Sequence, residues 1–526
     1  VNRRRRYIGL AFVASALCIA LVLGAAAASA LGPGDEYKGV DLPDEVQPAA
    51  SVLPAVVTVD ETRRLHPAHR EILGLSHHWM WGDRLAMDRE GHRISEEFLH
   101  QLAGLPMPFN RMAGTDSQGF RWKMAIGPME ERQEQKVQGN DRTGKKRFGP
   151  VEWIQSTLAI DPRAKFVYVF NMRRDTVQDR ADLVEFLTGD GQTNPNGGIN
   201  WAAKRVECGM RDPVPDIIWS LGNELDWGRR RANYPPEEYV ELCRETIAAV
   251  RAVDPDARFV AHVASAPWNP AYGQAGKDWR DLHRAILREL GDDIDFLDFH
   301  CYYYGMASSK MEDYMDAIRD DTRAITGSDR IKLLITEHGM WMGSIPTHSL
   351  KGCLATAQFI NRCLAREEVV GANYHNVSAG PWGVIYRGRE TGKLYTTGIL
   401  DMIRVLNEGV GDQVVFSSVK GERCDPRRND ISFTVTAMTT PEGLNLILVN
   451  READVARDLT FQFQRGYRLV EKISLSAESL DSHNTEFQRE IIVSREQPQM
   501  PEELRRFLMP AKTLATLKLK LIPATG

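Results

Sequence analysis

Two glutamates in this 526-residue chain stand where carboxylates can do chemistry. The stretch 217–228 reads IIWSLGNELDWG, an apolar, strand-like run that ends in Asn223 and then Glu224. Further on, KLLITEHG (332–339) puts Glu337 near the end of a second such run. Two carboxylates that face each other suit glycoside hydrolysis: one protonates the leaving oxygen while the other attacks the anomeric carbon. A separation of roughly 5–5.5 Å leaves no room for a water between attacker and sugar, and so predicts retention of configuration. His262, His300 and His375 join the two glutamates in a series that recurs every 37 or 38 residues.

That series needs a scaffold that repeats at the same interval. Apolar, β-rich runs include FVYVFN (166–171), DIIWSLGNE (216–224), RFVAHVA (258–264), IDFLDFHCYYY (294–304), KLLITEHG and VVGANYHNV (369–377). Between them lie amphipathic segments such as EEYVELCRETIAAVRAV (237–253) and DWRDLHRAILREL (278–290). Buried strands that alternate with helices imply parallel βαβ units. Counting back finds strand ends near Asn171, near Arg111 and at 74–78, which makes eight. The fold class expected is α/β: a (β/α)8 TIM barrel over 66–405, whose catalytic groups project from the C-terminal ends of the strands. An open doubly wound sheet is the rival. The longer early steps are expected to hold insertions around 130–150 and at 188–198. From 406 to 526 the runs become short, alternating and separated by turn residues, which predicts an antiparallel β-sandwich. Residues 31–65 read as a linker or N-terminal arm, free to lend the sandwich a strand.

Composition sets the outer bounds. With 43% hydrophobic and 26% charged residues the chain is that of a globular protein. The N-terminus differs: VNRRRR precedes a long apolar run and Ala28-Ser29-Ala30, the layout of an export signal. Residues 1–30 are therefore expected to be a cleaved signal or, uncleaved, a membrane anchor, with the protein periplasmic or extracellular. Without them the net charge goes from −5 to −9. That balance excludes a nucleic-acid partner, which needs a basic face. A membrane partner is expected only if the segment is retained, and the oligomeric state is left open. The seven cysteines include no C-x-x-C pair, which argues against structural zinc.

The motifs resemble those of clan A glycoside hydrolases, where Asn-Glu ends strand four and Glu ends strand seven. Within that clan the chain is most similar to family 51, the α-L-arabinofuranosidase-like enzymes. RMAGTDSQGFRWKMAIGPMEERQ (111–133) resembles that family's R-x-P-G-G-N segment followed by W-K-x-x-I-G-P-x-x-x-R. FLDFHCYYYG (296–305) resembles its D-x-x-S-x-H-x-Y strand, and LLITEHGMW (333–341) its nucleophile strand. The resemblance implies an acid/base role for Glu224 and a nucleophile role for Glu337. It implies a bond from Asn223 to the sugar 2-OH, Arg111 and Tyr302 holding Glu337 ionised, and His300 beside them. His78 and Asp116 stand at positions that bind the non-reducing sugar in the family, where its strand-one Glu and its Asn are replaced. His338 replaces the usual Trp after the nucleophile. Trp341 and Trp382 are expected to stack on sugar, with Trp79, Trp81, Trp227 and Trp268 as further aromatics at strand ends. The function implied is exported, retaining hydrolysis of a polysaccharide or oligosaccharide, α-L-arabinofuranosidase-like, with carbohydrate as partner and no cofactor or metal. Two other readings are an endo-β-glycanase of the same clan (glucanase, xylanase or agarase type) and a metal-dependent barrel hydrolase built on His77, His78, His262, His300 and His375.

Overall fold

The computed structural model describes residues 51–88, 90, 93–112, 114–138, 141–226, 234–267, 278–303, 308–340, 347–378, 380–420, 424–425, 430–498 and 503–523. The strands Gly74–His77, Phe109–Met112, Lys165–Val169, Ile217–Ser220, Arg258–His262, Phe296–Tyr302, Lys332–Gly339 and Val369–Tyr374 form a closed parallel barrel in chain order. The eighth strand pairs with the first through Asn373 and Gly74, so the ring closes and the open-sheet rival falls away.

Period two along each strand sorts the barrel into layers. Phe109, Val167, Ile218, Val260 and Leu334, from five different strands, pack together as an apolar cluster, with Phe296 and Val370 against it. Two residues further along several of these strands the side chains are polar: Arg111, Ser220, His262, Asp298 and Thr336, all buried. The odd-numbered neighbours of the fourth and fifth strands, Trp219, Phe259 and Ala261, belong instead to the main core between barrel and helices. Burying each large apolar side chain contributes about 1.5–3 kcal/mol, so the layer that closes the barrel also anchors the polar groups above it.

The joint between first and eighth strands is tight. A Cβ at Gly74 would lie 2.6 Å from the carbonyl oxygens of both Ala372 and Phe109. These are backbone atoms of neighbouring strands and cannot swing aside. Gly74→Ala is therefore expected to destabilise the protein by about 2 kcal/mol, read as a lower denaturant midpoint; an unchanged midpoint would show that the strands part freely there.

The remaining large sheet has nine strands, chiefly antiparallel, drawn mostly from the C-terminal part of the chain. The arm supplies one of them. Ser51–Pro67 pairs antiparallel with Gln413–Lys420 and parallel with Val455–Phe463. Ile447, Val449, Leu475 and Leu514 turn toward the barrel and join its core. Leu446, Leu448, Leu517 and Leu519 turn the other way and meet Val57, Val59 and Leu459. Since these strands are not neighbours in the sheet, it curls over its own second core. Asn361, in the barrel helix Leu350–Leu364, donates to Thr434 Oγ1 at 3.1 Å and ties the two parts together. In the 130–150 excursion, Glu134–Gln135 pairs with Gly144–Lys145.

Candidate active site

The fourth strand stops at Ser220, so Glu224 stands beyond it rather than on it. The chain leaves the strand through Gly222 (φ 101°) and reaches Glu224 at φ 49°, a left-handed conformation uncommon outside glycine. Left-handed non-glycine residues are costly and persist where surrounding contacts over-determine them. Glu337 sits within the seventh strand, where the pairing with the sixth shifts register between Leu334 and Glu337. A bulge there lets Thr336 and Glu337 both reach interior partners although they are consecutive.

These two turns of the backbone bring the acids together. Oxygens of Glu224 and Glu337 and a ring nitrogen of His300 lie within 4.8 Å of one another. His300 Nδ1 is 2.9 Å from Glu224 Oε1 and 3.7 Å from Glu337 Oε2. Arg111, fully buried, donates from Nη1 to Glu337 Oε1 at 2.8 Å and from Nη2 to Asn223 Oδ1 at 2.7 Å. Tyr302 donates its hydroxyl to Glu337 Oε2 at 2.6 Å. Asn223 thus has its oxygen occupied, while its amide Nδ2 is buried with no hydrogen-bond partner among the described residues. A donor left in this way is available to a ligand hydroxyl.

The two carboxyls have unequal surroundings. Burial alone pushes the Glu337 carboxyl up, but His300, His375, Arg111 and the Tyr302 hydroxyl together hold it well below the usual range. His375, whose Nδ1 is 3.7 Å from Glu337 Oε2, is itself lowered by burial to about 3 and is neutral in neutral solution. Arg111, whose guanidinium stays charged at any ordinary pH, is a permanent positive charge on Glu337. Tyr302→Phe removes one of these supports and raises the Glu337 carboxyl toward its ordinary value. The acidic limb of kcat/KM, where Glu337 gains its proton, is expected to move to higher pH. Unshifted limbs in Tyr302→Phe would show that the hydroxyl does not act on the ionisation.

The other expected residues divide. His78 Nδ1 lies 3.2 Å from Asp116 Oδ1, and its ring meets that of His375 edge-on at 4.9 Å. His375 also packs against Trp382 at 4.9 Å, and Trp382 neighbours Tyr302. His78, Asp116 and Trp382 are thus linked through His375 and Tyr302 to Glu337. Trp341, Trp227 and Trp268 lie outside the described residues. Trp79 is a core residue stacked on Phe120 at 4.1 Å. His338 faces away from its neighbour Glu337 and packs on Phe359, where burial lowers it to about 3. His338 thus lies behind the strand, packed in the core, and not at the site. His77 stacks on Phe148, and the five histidines of the metal reading do not converge: His262 and His300 share Asp298, while His78 and His375 stand together. Asp298 and Thr336 were not among the expected residues. The signal for Asp298 was the spacing Asp298, His300, Tyr302, which puts all three on one face of the sixth strand.

Comparisons with known proteins agree with the pattern of residues. Residues 109–320 match the model of the "Alpha-L-arabinofuranosidase 1 domain" family. An intracellular exo-α-(1→5)-L-arabinofuranosidase from Streptomyces lividans is 29% identical over 185 residues, 35% of this chain and 26% of that protein. One from Bacillus subtilis is 22% identical over 312 residues, 59% of this chain and 53% of its own. The matched parts thus span about half or less of these curated relatives. Among solved structures, an α-L-arabinofuranosidase from Thermotoga maritima superposes with a TM-score of 0.75 at 17% identity, covering 89% of this chain and 100% of that one. A family 51 α-L-arabinofuranosidase from Bifidobacterium longum gives 0.73 at 16%, covering 89% and 99%. These likenesses carry the fold. The expectation of an exported protein is corrected by the same findings, since the relatives from S. lividans and B. subtilis are named intracellular. No helix among the described residues is long and apolar enough to cross a membrane. Residues 1–30, on which that expectation rested, lie outside the described residues. A basic cluster before an apolar run reports hydropathy alone, and hydropathy does not fix a compartment.

Proposed function

We propose that this chain, whose likenesses lie with the clan A glycoside hydrolases and within them with family 51, hydrolyses glycosides with retention of configuration and takes α-L-arabinofuranosides as substrates. The observation that carries the reading is the short separation of two carboxyls that differ in their partners. Within 4.8 Å there is room for a sugar carbon and its leaving oxygen but not for an added water, in contrast to the roughly 6.5–9.5 Å of inverting sites. Two carboxyls this close resist simultaneous ionisation, so the one beside Arg111 carries the charge and the other the proton.

The steps follow from that division. Glu337, ionised, attacks the anomeric carbon while Glu224 gives its proton to the departing oxygen. A glycosyl ester on Glu337 results, and the aglycone leaves as an alcohol. Glu224, now a carboxylate, takes a proton from a water that attacks the same carbon from the opposite face and restores Glu337. Asn223 offers its unpartnered amide to the sugar 2-OH, a bond that contributes most if it tightens in the transition state. His78 and Asp116 meet the hydroxyls at the non-reducing side, and Trp382 packs on the sugar face. Relatives named exo-α-(1→5)-L-arabinofuranosidases support the choice of sugar.

Hydrolysis of 4-nitrophenyl α-L-arabinofuranoside watched by proton NMR tests the whole reading. The α-anomer of arabinose is expected first. Initial release of the β-anomer would remove retention. Inertness to furanosides with depolymerisation of a glucan, xylan or agarose would favour the endo-acting alternative.

A further inference from the structure

The polar contacts do not end at His300. Its far nitrogen, Nε2, lies 3.3 Å from Thr336 Oγ1 and 3.5 Å from Asp298 Oδ2. Asp298 is fully buried and accepts from the Thr336 hydroxyl at 2.5 Å and the Thr336 backbone N–H at 3.3 Å. Its Oδ2 is also 3.4 Å from His262 Nδ1. His262 Nε2 is 3.0 Å from Ser265 Oγ, and Ser265 holds Asp226 through its hydroxyl and, at 3.0 Å, its backbone N–H. Asp226 is two residues from Glu224 on the same turn. The series leaves that turn at Glu224 and returns to it at Asp226.

The hydrogens in this loop are constrained. A buried carboxylate only accepts, so each imidazole beside Asp298 is required to present an N–H to it. Thr336 has given its hydroxyl hydrogen to Asp298, and so it too can only accept from His300. Nε2 of His300 therefore faces two acceptors and carries the hydrogen. Nδ1, when the ring is neutral, is left as the acceptor for a protonated Glu224. The opposite tautomer would set N–H against O–H and drive the proton off the acid. Aligned on His300 and Tyr302, the D-x-x-S-x-H-x-Y pattern that this strand resembles has serine where this chain has Asp298.

We propose that Asp298 is a positioning residue that fixes the His300 tautomer and so keeps the reacting proton on Glu224, an inference that rests on Glu224 being the general acid. The proton involved moves only from Glu224 to the leaving oxygen; Asp298 keeps its own state throughout.

Leaving groups separate this role from a merely structural one. Asp298→Asn keeps the shape but turns an amide NH2 toward one of the imidazoles. Its kcat/KM for α-1,5-L-arabinobiose, whose leaving sugar needs a proton, is expected to fall by about 10²-fold. For 2,4-dinitrophenyl α-L-arabinofuranoside, whose leaving group needs none, the loss is expected to stay within about 5-fold on the same argument. Equal losses on both substrates would overturn the proposal. Glu224→Gln run on the same pair keeps the two claims apart. If Glu224→Gln discriminates and Asp298→Asn does not, Asp298 is not the positioning group. If Glu224→Gln itself does not discriminate, the acid assignment has failed first. Should Asp298→Asn not fold, as a thermal melt would show, Asp298→Ala, which leaves no acceptor for the His300 N–H, is read by the same two substrates and the same criterion.

Discussion

Glu337→Gln is expected to lower turnover of α-L-arabinofuranosides by about four to six orders of magnitude and to leave no sugar attached to the protein. The size follows from the site's asymmetry. Arg111 and Tyr302 spend three hydrogens on this turn of the site, two of them on Glu337 itself. They hold it as an anion against the burial that would neutralise it. Glutamine keeps the acceptor for Arg111 Nη1, whereas in a Glu337→Ala protein the buried guanidinium would keep Asn223 but lose its counter-charge, at a cost of about 3–5 kcal/mol of stability. Lost activity in a protein that melts normally is then a loss of chemistry. Added azide tests the role further. Attacking the open face of an activated substrate in place of Glu337, it is expected to give the β-azide, inverted relative to the substrate. Near-normal rates in Glu337→Gln, measured on both aryl and disaccharide substrates, would remove the nucleophile assignment.

The barrel was legible because its repeat is regular. Five consecutive strand ends at near-constant spacing left few other ways to arrange the runs, and the alternation of each run showed which residues turn inward. The same alternation reads correctly for Asp298, His300 and Tyr302, though only the last two stood out, because a buried aspartate has no motif to announce it. Period two fails where the backbone departs from it. Thr336 and Glu337 are consecutive yet both reach interior groups, through a register shift that no local pattern encodes. Glu224 reads as the end of a strand because Leu221 continues the apolar run, whereas Gly222 and the left-handed turn carry it past the strand's end. Trp79 and His338 mark the opposite limit. Both stand next to site residues in the chain and both face the core: His338 because a neighbour in sequence on a strand is a neighbour on the other face, Trp79 because the strand has ended at His77 and a helix, Trp79–Leu85, begins with it.

The remaining carboxyl gives the second large effect. Glu224→Gln is expected to lower kcat/KM on α-1,5-L-arabinobiose by about 10³–10⁴-fold, while 2,4-dinitrophenyl α-L-arabinofuranoside still forms the glycosyl ester at close to the normal rate. Without a base to activate water that ester accumulates, so a burst of dinitrophenol followed by a slow steady rate is expected. Azide needs no base and restores the steady rate. Here it attacks the ester on Glu337 rather than the substrate, so two displacements occur and the product is the α-azide. The two variants thus give azides of opposite configuration from one substrate, as required of carboxyls that act from opposite faces of the sugar ring. Glutamine preserves the partner for His300 Nδ1 and so leaves the turn at φ 49° in place. If both variants returned the same azide, or if Glu224→Gln cleaved the disaccharide at the normal rate, the roles of the two acids would have to be exchanged or abandoned.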